Sequence, residues 1–572
     1  MQQLEKLSSI LFGCVIVLAA ASAAQGAATI SDVVNFGSRV GSGLPGSGIA
    51  QGSLFAVLGV DLGPAKTLHA HYPLPTSLGL HGVTVEVTVG HKALSAIMVA
   101  VGANEVDAIL PSKTPLGQGT LTVHYRGSSA SFPITVVKSA FGIIWNAGAH
   151  NVADDGAVMA NNGFQSAHPG QKVLVRGTGL GPIKADETRR GLTSIPDTTV
   201  TVWVGMTEAK VVSARRGDCC GNDAVAILPK LAALDVVEFI VPPGIEGCNL
   251  SVHVQAGDVV SNSKWISVAK SGAVCPEVAA YNLGQRVALS GLVKTGQIQM
   301  NHEATPHSGG QTATDSAFLF FQPIDFTVAP AAIPDFWIHN TNSVGSCSVS
   351  TFRVPPGKVP PVVAPAEEER VTPAASSEPF DVGAIFTIRG PGVNQILVND
   401  SAPAAAHYNA FATINTAPGG GVSGDPPFLV PGSYTLDNGG GGANLSPFIA
   451  ALHNPAPVRW ENTTELAYVD RSSGLTIRWS GGEPDGVVNI SGTLQAVQDT
   501  VTYGGTFICA ARTGAGKFFV PPFITRQIPT GASPTQSRLK LGAIIEAVAF
   551  IPGIDFTYYS SSQALFQPVV FQ

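Results

Sequence analysis

One stretch of this chain occurs twice, and that repetition limits the possible folds more than any other feature. The first copy runs Gly52-Ser-Leu-Phe-Ala-Val-Leu-Gly59-Val-Asp-Leu-Gly63-Pro64-Ala-Lys66. The second runs Gly170-Gln-Lys-Val-Leu-Val-Arg-Gly177-Thr-Gly-Leu-Gly181-Pro182-Ile-Lys184. At a constant offset of 118 residues, Gly52, Gly59, Leu62, Gly63, Pro64 and Lys66 return as Gly170, Gly177, Leu180, Gly181, Pro182 and Lys184. Each copy is a short apolar run of β-formers, ended by Gly and then by a Leu-Gly-Pro turn. The glycines are expected at backbone positions that need positive φ, and the proline fixes φ after them. Two copies in register imply a duplicated β domain.

The flanking sequence repeats as well. In the first unit, 27–138, Val83-Thr-Val-Glu-Val-Thr-Val89 alternates with period two, as a half-buried strand does. Asn104-Glu-Val-Asp-Ala-Ile-Leu-Pro111, Leu121-Thr-Val-His-Tyr125 and Phe132-Pro-Ile-Thr-Val136 follow it. In the second unit, 139–270, Val200–Val204, Asp235–Pro242 and Leu250–Val254 answer the first three of these in the same order. Regular short strands with turn residues between them indicate β-sandwiches. Composition agrees: 64 Gly and 41 Pro with only 12% charged residues suit many strands and tight turns, not charged helices. A net charge of −7 over 572 residues supplies no basic field for nucleic acid and no polybasic membrane patch.

Taken as a set, the strand ending Gly-x-x-Leu-Gly-Pro, the Val-x-Val-x-Val-Gly strand and the strand at 104–111 and 235–242 resemble IPT/TIG-like immunoglobulin folds. The resemblance is to the tandem form found in secreted bacterial proteins, and it covers about residues 29 to 275. Gly217-Asp-Cys-Cys-Gly221, Pro243-Gly-Ile-Glu-Gly-Cys248 and Val259-Val-Ser-Asn262 also match that group. It implies an extracellular module and transfers no catalytic residues. The first unit departs from it in lacking the cysteines.

Residues 1–26 read as a signal peptide: Lys6, an apolar core from Ile10 to Ala21, then small residues suited to cleavage after Ala23 or Gly26. No later stretch is apolar enough to cross a membrane as a helix. Six cysteines follow: Cys219, Cys220, Cys248, Cys275, Cys347 and Cys509. In an exported chain they are disulfide candidates. Adjacent Cys219 and Cys220 are poorly placed to join each other, so each is expected to reach Cys248 or Cys275. Cys347 and Cys509 either pair across the C-terminal half or stay free.

The rest divides into a mixed β region with a short helix (271–353), a Pro-rich linker (354–379), a β domain (380–456) and a C-terminal β-sandwich (457–572). Within it, Leu475–Trp479 and Val487–Ile490 are read as a hairpin, with Trp460 and Trp479 in the core.

Several motifs invite chemistry and have a plainer reading. Arg176-Gly-Thr-Gly-Leu-Gly181 follows a strand, but no helix pattern follows it, so a turn is expected and not a dinucleotide site. His307-Ser-Gly-Gly310 lacks the context of a serine hydrolase. His69 and His71 form a two-imidazole pair without a third ligand. Asp154, Asp155, Asn161 and Asn162 suit turns better than calcium. His124 and His253, at equivalent repeat positions, are expected to be partly buried. No catalytic, cofactor or metal residue is assigned.

The expectation is an all-β, non-enzymatic protein, secreted or held at the cell surface. It would bind a protein or glycan through loops or edge strands of its tandem Ig-like modules, as an adhesion protein does. The alternatives are a carbohydrate-binding accessory protein and a secreted hydrolase with its site in 276–353 or the C-terminal half.

Overall fold

The computed structural model describes residues 28–144, 148–189, 197–217, 233–272, 274–276, 292–307, 309–325, 342–355, 380–398, 406–416, 422–531, 533 and 535–572. The expected signal peptide, Cys219, Cys220, nearly all of the expected Pro-rich linker and the helix expected after Pro276 lie outside them.

The first unit contributes β1 (Thr29–Asn35), β2 (Ile49–Ala50), β3 (Leu54–Val60), β4 (Leu68–His69), β5 (Thr84–Val89), β6 (Lys92–Ser95), β7 (Ile97–Val101), β8 (Glu105–Ile109), β9 (Gly117–Tyr125) and β10 (Ser128–Val137). One sheet has the order β1-β3-β8-β7-β4 and the other β2-β10-β9-β5-β6. Alternation builds the core between them. In β5 the valines at 85, 87 and 89 are buried while Glu86 faces solvent. They meet Phe55, Val57, Val106 and Met98 from the opposite sheet.

The second unit contributes β11 (Gly142–Ile143), β12 (Ala149–Val152), β13 (Val158–Ala160), β14 (Lys172–Thr178), β15 (Val200–Val204), β16 (Thr207–Arg216), β17 (Asp235–Ile240), β18 (Gly247–Ala256), β19 (Val259–Val260) and β20 (Lys264–Val268). The duplication holds at the level of pairing. β3 pairs with β8 and β14 with β17; β5 pairs with β9 and β15 with β18. The copies differ at one edge. β6 and β7 are separate strands either side of Ala96, whereas β16 runs on through a register shift between Val211 and Ser213.

The remaining strands are β21 (Leu292–His307), β22 (Gly310–Asp325), β23 (Ser346–Val354), β24 (Ile385–Arg389), β25 (Gln395–Val398), β26 (Ala406–Thr416), β27 (Val422–Gly424), β28 (Gly432–Asp437), β29 (Ile449–Asn454), β30 (Val458–Trp460), β31 (Tyr468–Val469), β32 (Leu475–Gly481), β33 (Val487–Gln498), β34 (Val501–Arg512), β35 (Lys517–Val520), β36 (Ser537–Val548), β37 (Phe556–Pro568) and β38 (Val570–Phe571). Nine of them form one sheet, β23-β34-β33-β36-β37-β21-β22-β26-β27, which draws strands from both sides of the Pro-rich segment. Two small sheets cover one face of it. β25-β24-β28-β29 packs over Ile298, Leu319 and Tyr408, and β30-β32-β35 packs over Ile490, Phe507 and Leu541. Trp460 and Trp479 sit in that second core, opposite each other across β30 and β32. The hairpin expected of 475–490 does not form. β32 pairs with β30 and β35, while β33 pairs with β34 and β36, because each strand has a better-matched apolar face elsewhere.

Polar joints tie the three parts together. Thr178 Oγ1 accepts the Leu54 amide (2.8 Å) and donates to Ala233 O (2.9 Å), bridging the two tandem units. The second unit meets the large sheet where Trp203 stacks on Phe523 at 4.3 Å and His253 Nε2 contacts Cys347 O at 2.9 Å. The first unit meets it through Arg353, which donates to Ser31 O (3.0 Å) beside Asp32.

Candidate ligand-binding face

The repeat glycines serve backbone geometry, though not in the way expected of all six. Gly52 (φ +72°), Gly170 (+86°) and Gly181 (+135°) have positive φ; Gly59, Gly63 and Gly177 do not. Gly59 and Gly177 are small because a neighbouring strand occupies the space of a side chain: a Cβ would overlap the Thr29 carbonyl in one copy and the Phe141 ring in the other. At Gly63 a Cβ would lie 2.7 Å from the Gly102 carbonyl oxygen. The left-handed position falls two residues later than Gly59 and Gly177, at Asp61 (φ 57°) and Gly179 (φ 107°). Pro64 and Pro182 follow Gly63 and Gly181 in the turn, half-buried.

The glycine-rich segment 176–181 is a turn, fastened by a carboxylate. Asp235 Oδ2 accepts the Gly179 and Leu180 amides, each at 2.8 Å, and Asp235 also binds the buried Arg216 guanidinium at 2.7 Å.

The disulfides are Cys248–Cys275 and Cys347–Cys509. The first corrects the expectation that Cys248 and Cys275 each receive one of the adjacent pair; they face each other across the end of the second sandwich and join. The second links directly opposed residues of β23 and β34.

The other motifs scatter. His307 turns the β21–β22 hairpin, accepting the Gly309 amide at 3.1 Å. Asp155 caps the β12–β13 turn by accepting the Ala157 amide. The equivalent histidines diverge: His253 is fully buried and its pKa falls to about 4 through that burial, whereas His124 is exposed and not partly buried as expected. Among the described residues no three His, Cys, Asp or Glu side chains gather as a metal ion requires. Among the described residues one carboxyl is pushed far up. Burial, then the nearby Glu105, pushes Asp107 up to about 8. These two carboxyls lie two residues apart on β8, with Arg39 binding Glu105 at 2.8 Å.

Sequence reasoning passed over the face of the nine-stranded sheet that the small sheets leave uncovered. Strand alternation sends Ile298, Met300, Leu319, Phe321, Tyr408 and Ala410 into the core, so their neighbours face outward. Register then sets Phe320 opposite His407, Phe318 opposite Asn409 and Ser316 opposite Phe411, with Gln297, Gln299 and Asn301 one strand over. The Phe320 and His407 rings lie 4.5 Å apart and the Phe318 and Phe320 rings 6.5 Å apart. Phe411 is 70% exposed. Polar groups fill the remaining positions: Thr312 donates to Asn415 at 3.0 Å, and Ser562 to Asn301 at 2.8 Å. The face's Glu303 is paired with Lys540 at 3.0 Å, so no single-sign field builds there. The signal was present as period-two alternation in Gln297–Asn301, Thr312–Phe320 and His407–Asn415. What it lacked was any indication that these three segments are neighbours.

Such a face offers aromatic rings for C–H contact beside amides and hydroxyls that both donate and accept.

No family model matches the chain, and no curated protein does. Among solved structures it is similar to SGBP-B from a complex xyloglucan utilization locus in Bacteroides uniformis, with 11% identity over 67% of this chain and 86% of that one, TM-score 0.15. SGBP-B of the Bacteroides ovatus mixed-linkage glucan utilization locus, in complex with a mixed-linkage heptasaccharide, aligns at 9% identity over 85% and 95%, TM-score 0.14. Sidekick-1 immunoglobulin domains 1–4 align at 11% identity over 93% and 98%, TM-score 0.11. At TM-scores this low the likeness says nothing of function. The Ig-like sandwiches rest on the strand pairing above.

Proposed function

We propose that this is an exported interaction protein, built on IPT/TIG-like tandem modules, that binds an extended neutral polysaccharide without cleaving it. The observation that carries the reading is the outer face of β21, β22 and β26, where Phe318, Phe320 and Phe411 stand among Gln297, Gln299, Asn301 and Asn409. Pyranose rings present apolar C–H faces and rims of hydroxyls. A sheet face that sets rings beside amides complements both. The seat is therefore a sheet face, not the loops or edge strands of the tandem units. Two disulfides fit an oxidising compartment, in keeping with the signal-like first 26 residues.

Affinity electrophoresis through gels containing xylan, glucomannan, mixed-linkage glucan or xyloglucan tests this. At least one polymer is expected to retard the protein, with no reducing ends released. The Phe318→Ala/Phe320→Ala/Phe411→Ala variant is expected to migrate freely. Equal retardation of that variant, or retardation by none of the polymers, would refute the reading.

A further inference from the structure

A second concave site lies elsewhere, at the junction of the first tandem unit with the large sheet. It is a cleft of about 1000 Å³ that shares Gly43 and Tyr503 with an adjoining hollow of about 350 Å³. One wall is the 43–45 segment of the first unit. The other comes from the β33–β34 hairpin, the turn after β31 and the residues after the short helix Pro522–Thr525. Junctions of this kind, lined by a few convergent polar groups, are where small ligands bind.

The lining is distinctive in its chemistry. Gln498, Asp499, Asp470 and Arg526 present planar polar groups around the half-buried Tyr503 ring. Asp470 is held in place by the Ser473 and Ser472 hydroxyls, which also keep its carboxyl low, at about 2, and hence ionised. Arg471 is spent on structure: it donates to the carbonyls of Gln572, Arg526 and Ile528, which fixes the floor. Gly43, with φ of +86°, lets the first unit come close to the ring; a Cβ there would lie 3.1 Å from Tyr503 Cε1. Asp470 and Asp499 line the cleft together with Arg471 and Arg526, whose guanidiniums donate to backbone carbonyls, so the lining carries no net charge to select a phosphate or a nucleic acid.

We propose that this cleft is a second binding site, specific for a short neutral oligosaccharide. Carboxylate, amide and guanidinium groups each engage two adjacent hydroxyls at once, and the phenol supplies the face for one ring. A single polar side chain would recognise a sugar poorly; this set, held by segments from two units, suits a ring with hydroxyls on every edge. The site shares no residue with the sheet face and stands or falls separately. Occupancy bridges the two walls, so binding would also tighten the first unit against the sheet.

The test is calorimetric titration of the full mature chain with cellohexaose, xylohexaose, mannohexaose and laminarihexaose, each up to about 10 mM. At least one is expected to bind. Tyr503→Ala/Asp499→Ala is expected to weaken it by about tenfold or more, and Thr530→Trp, which fills the cleft from an exposed position, to do the same. In the Phe318→Ala/Phe320→Ala/Phe411→Ala background, which removes the contribution of the sheet face, the cleft should still bind it. No binding by any hexaose overturns the proposal, as does wild-type affinity in Thr530→Trp or loss of binding in the sheet-face variant. Far-ultraviolet circular dichroism of each variant separates loss of the site from loss of the fold.

Discussion

Replacing Asp235 by Ala removes one carboxylate that four donors use. It accepts the Gly179 and Leu180 amides at 2.8 Å and Arg216 Nε and Nη2 at 2.7 and 3.2 Å, with no solvent exposure on either side of the ion pair worth counting (1% and 0%). The deletion leaves a guanidinium buried without its counter-charge, which costs about 3–5 kcal/mol. Two orphaned amides add to this, offset by water entering the space vacated; about 4 kcal/mol is the expected net loss. Against a typical stability of about 5–15 kcal/mol, that lowers the melting temperature of the tandem region by roughly 10 °C or more. Differential scanning calorimetry and urea titration measure it. The partner experiment is Asp235→Leu/Arg216→Met, which removes both charges together. Because the dominant penalty in the single variant is the stranded cation, the double variant should regain at least half of the loss. A single variant that loses under about 1 kcal/mol would refute the reasoning, as would a double variant no better than the single.

Three further outcomes follow from the same structure. Asp107, with its pKa raised to about 8, stays protonated in the fold while the unfolded chain ionises near 4, so its contribution is intact below pH 4 and is lost as pH rises through 8. Asp107→Asn is expected to stabilise by about 1–2 kcal/mol at pH 8 and not at all at pH 4, read from urea midpoints at the two pH values. His253 runs the other way: with its pKa lowered to about 4 by burial, stability present above pH 6.5 is lost as pH falls toward 4. The loss is about 2–3 kcal/mol, and His253→Gln should flatten it in melting curves across that window. Cys347→Ser/Cys509→Ser opens a link between residues 162 apart and should cost about 2–5 kcal/mol, while non-reducing peptide mapping of the wild type should recover Cys347–Cys509 and Cys248–Cys275 as separate species.

The sequence alone determined what is local. Period-two alternation marked β5, β9, β15 and β18, and the repeat at 52–66 and 170–184 announced two copies of one sandwich, because side-chain alternation and turn chemistry are properties of a few consecutive residues. Even there the glycines were legible as necessary without their reason being legible. The Phe141 ring that excludes a Cβ at Gly177 belongs to another strand, and that contact cannot be read from the segment itself.

Only the tertiary structure decided which strands share a sheet. β21 lies parallel to β37, more than 250 residues further along the chain, and neither sequence carries a mark of the other. Long-range pairing is chosen by the fit of whole apolar faces, not by any one residue. The same choice places Phe318, Phe411 and Gln297 on one surface, brings Gly43 to Tyr503, and joins Cys347 to Cys509. Both proposed sites therefore exist only once the chain has closed on itself.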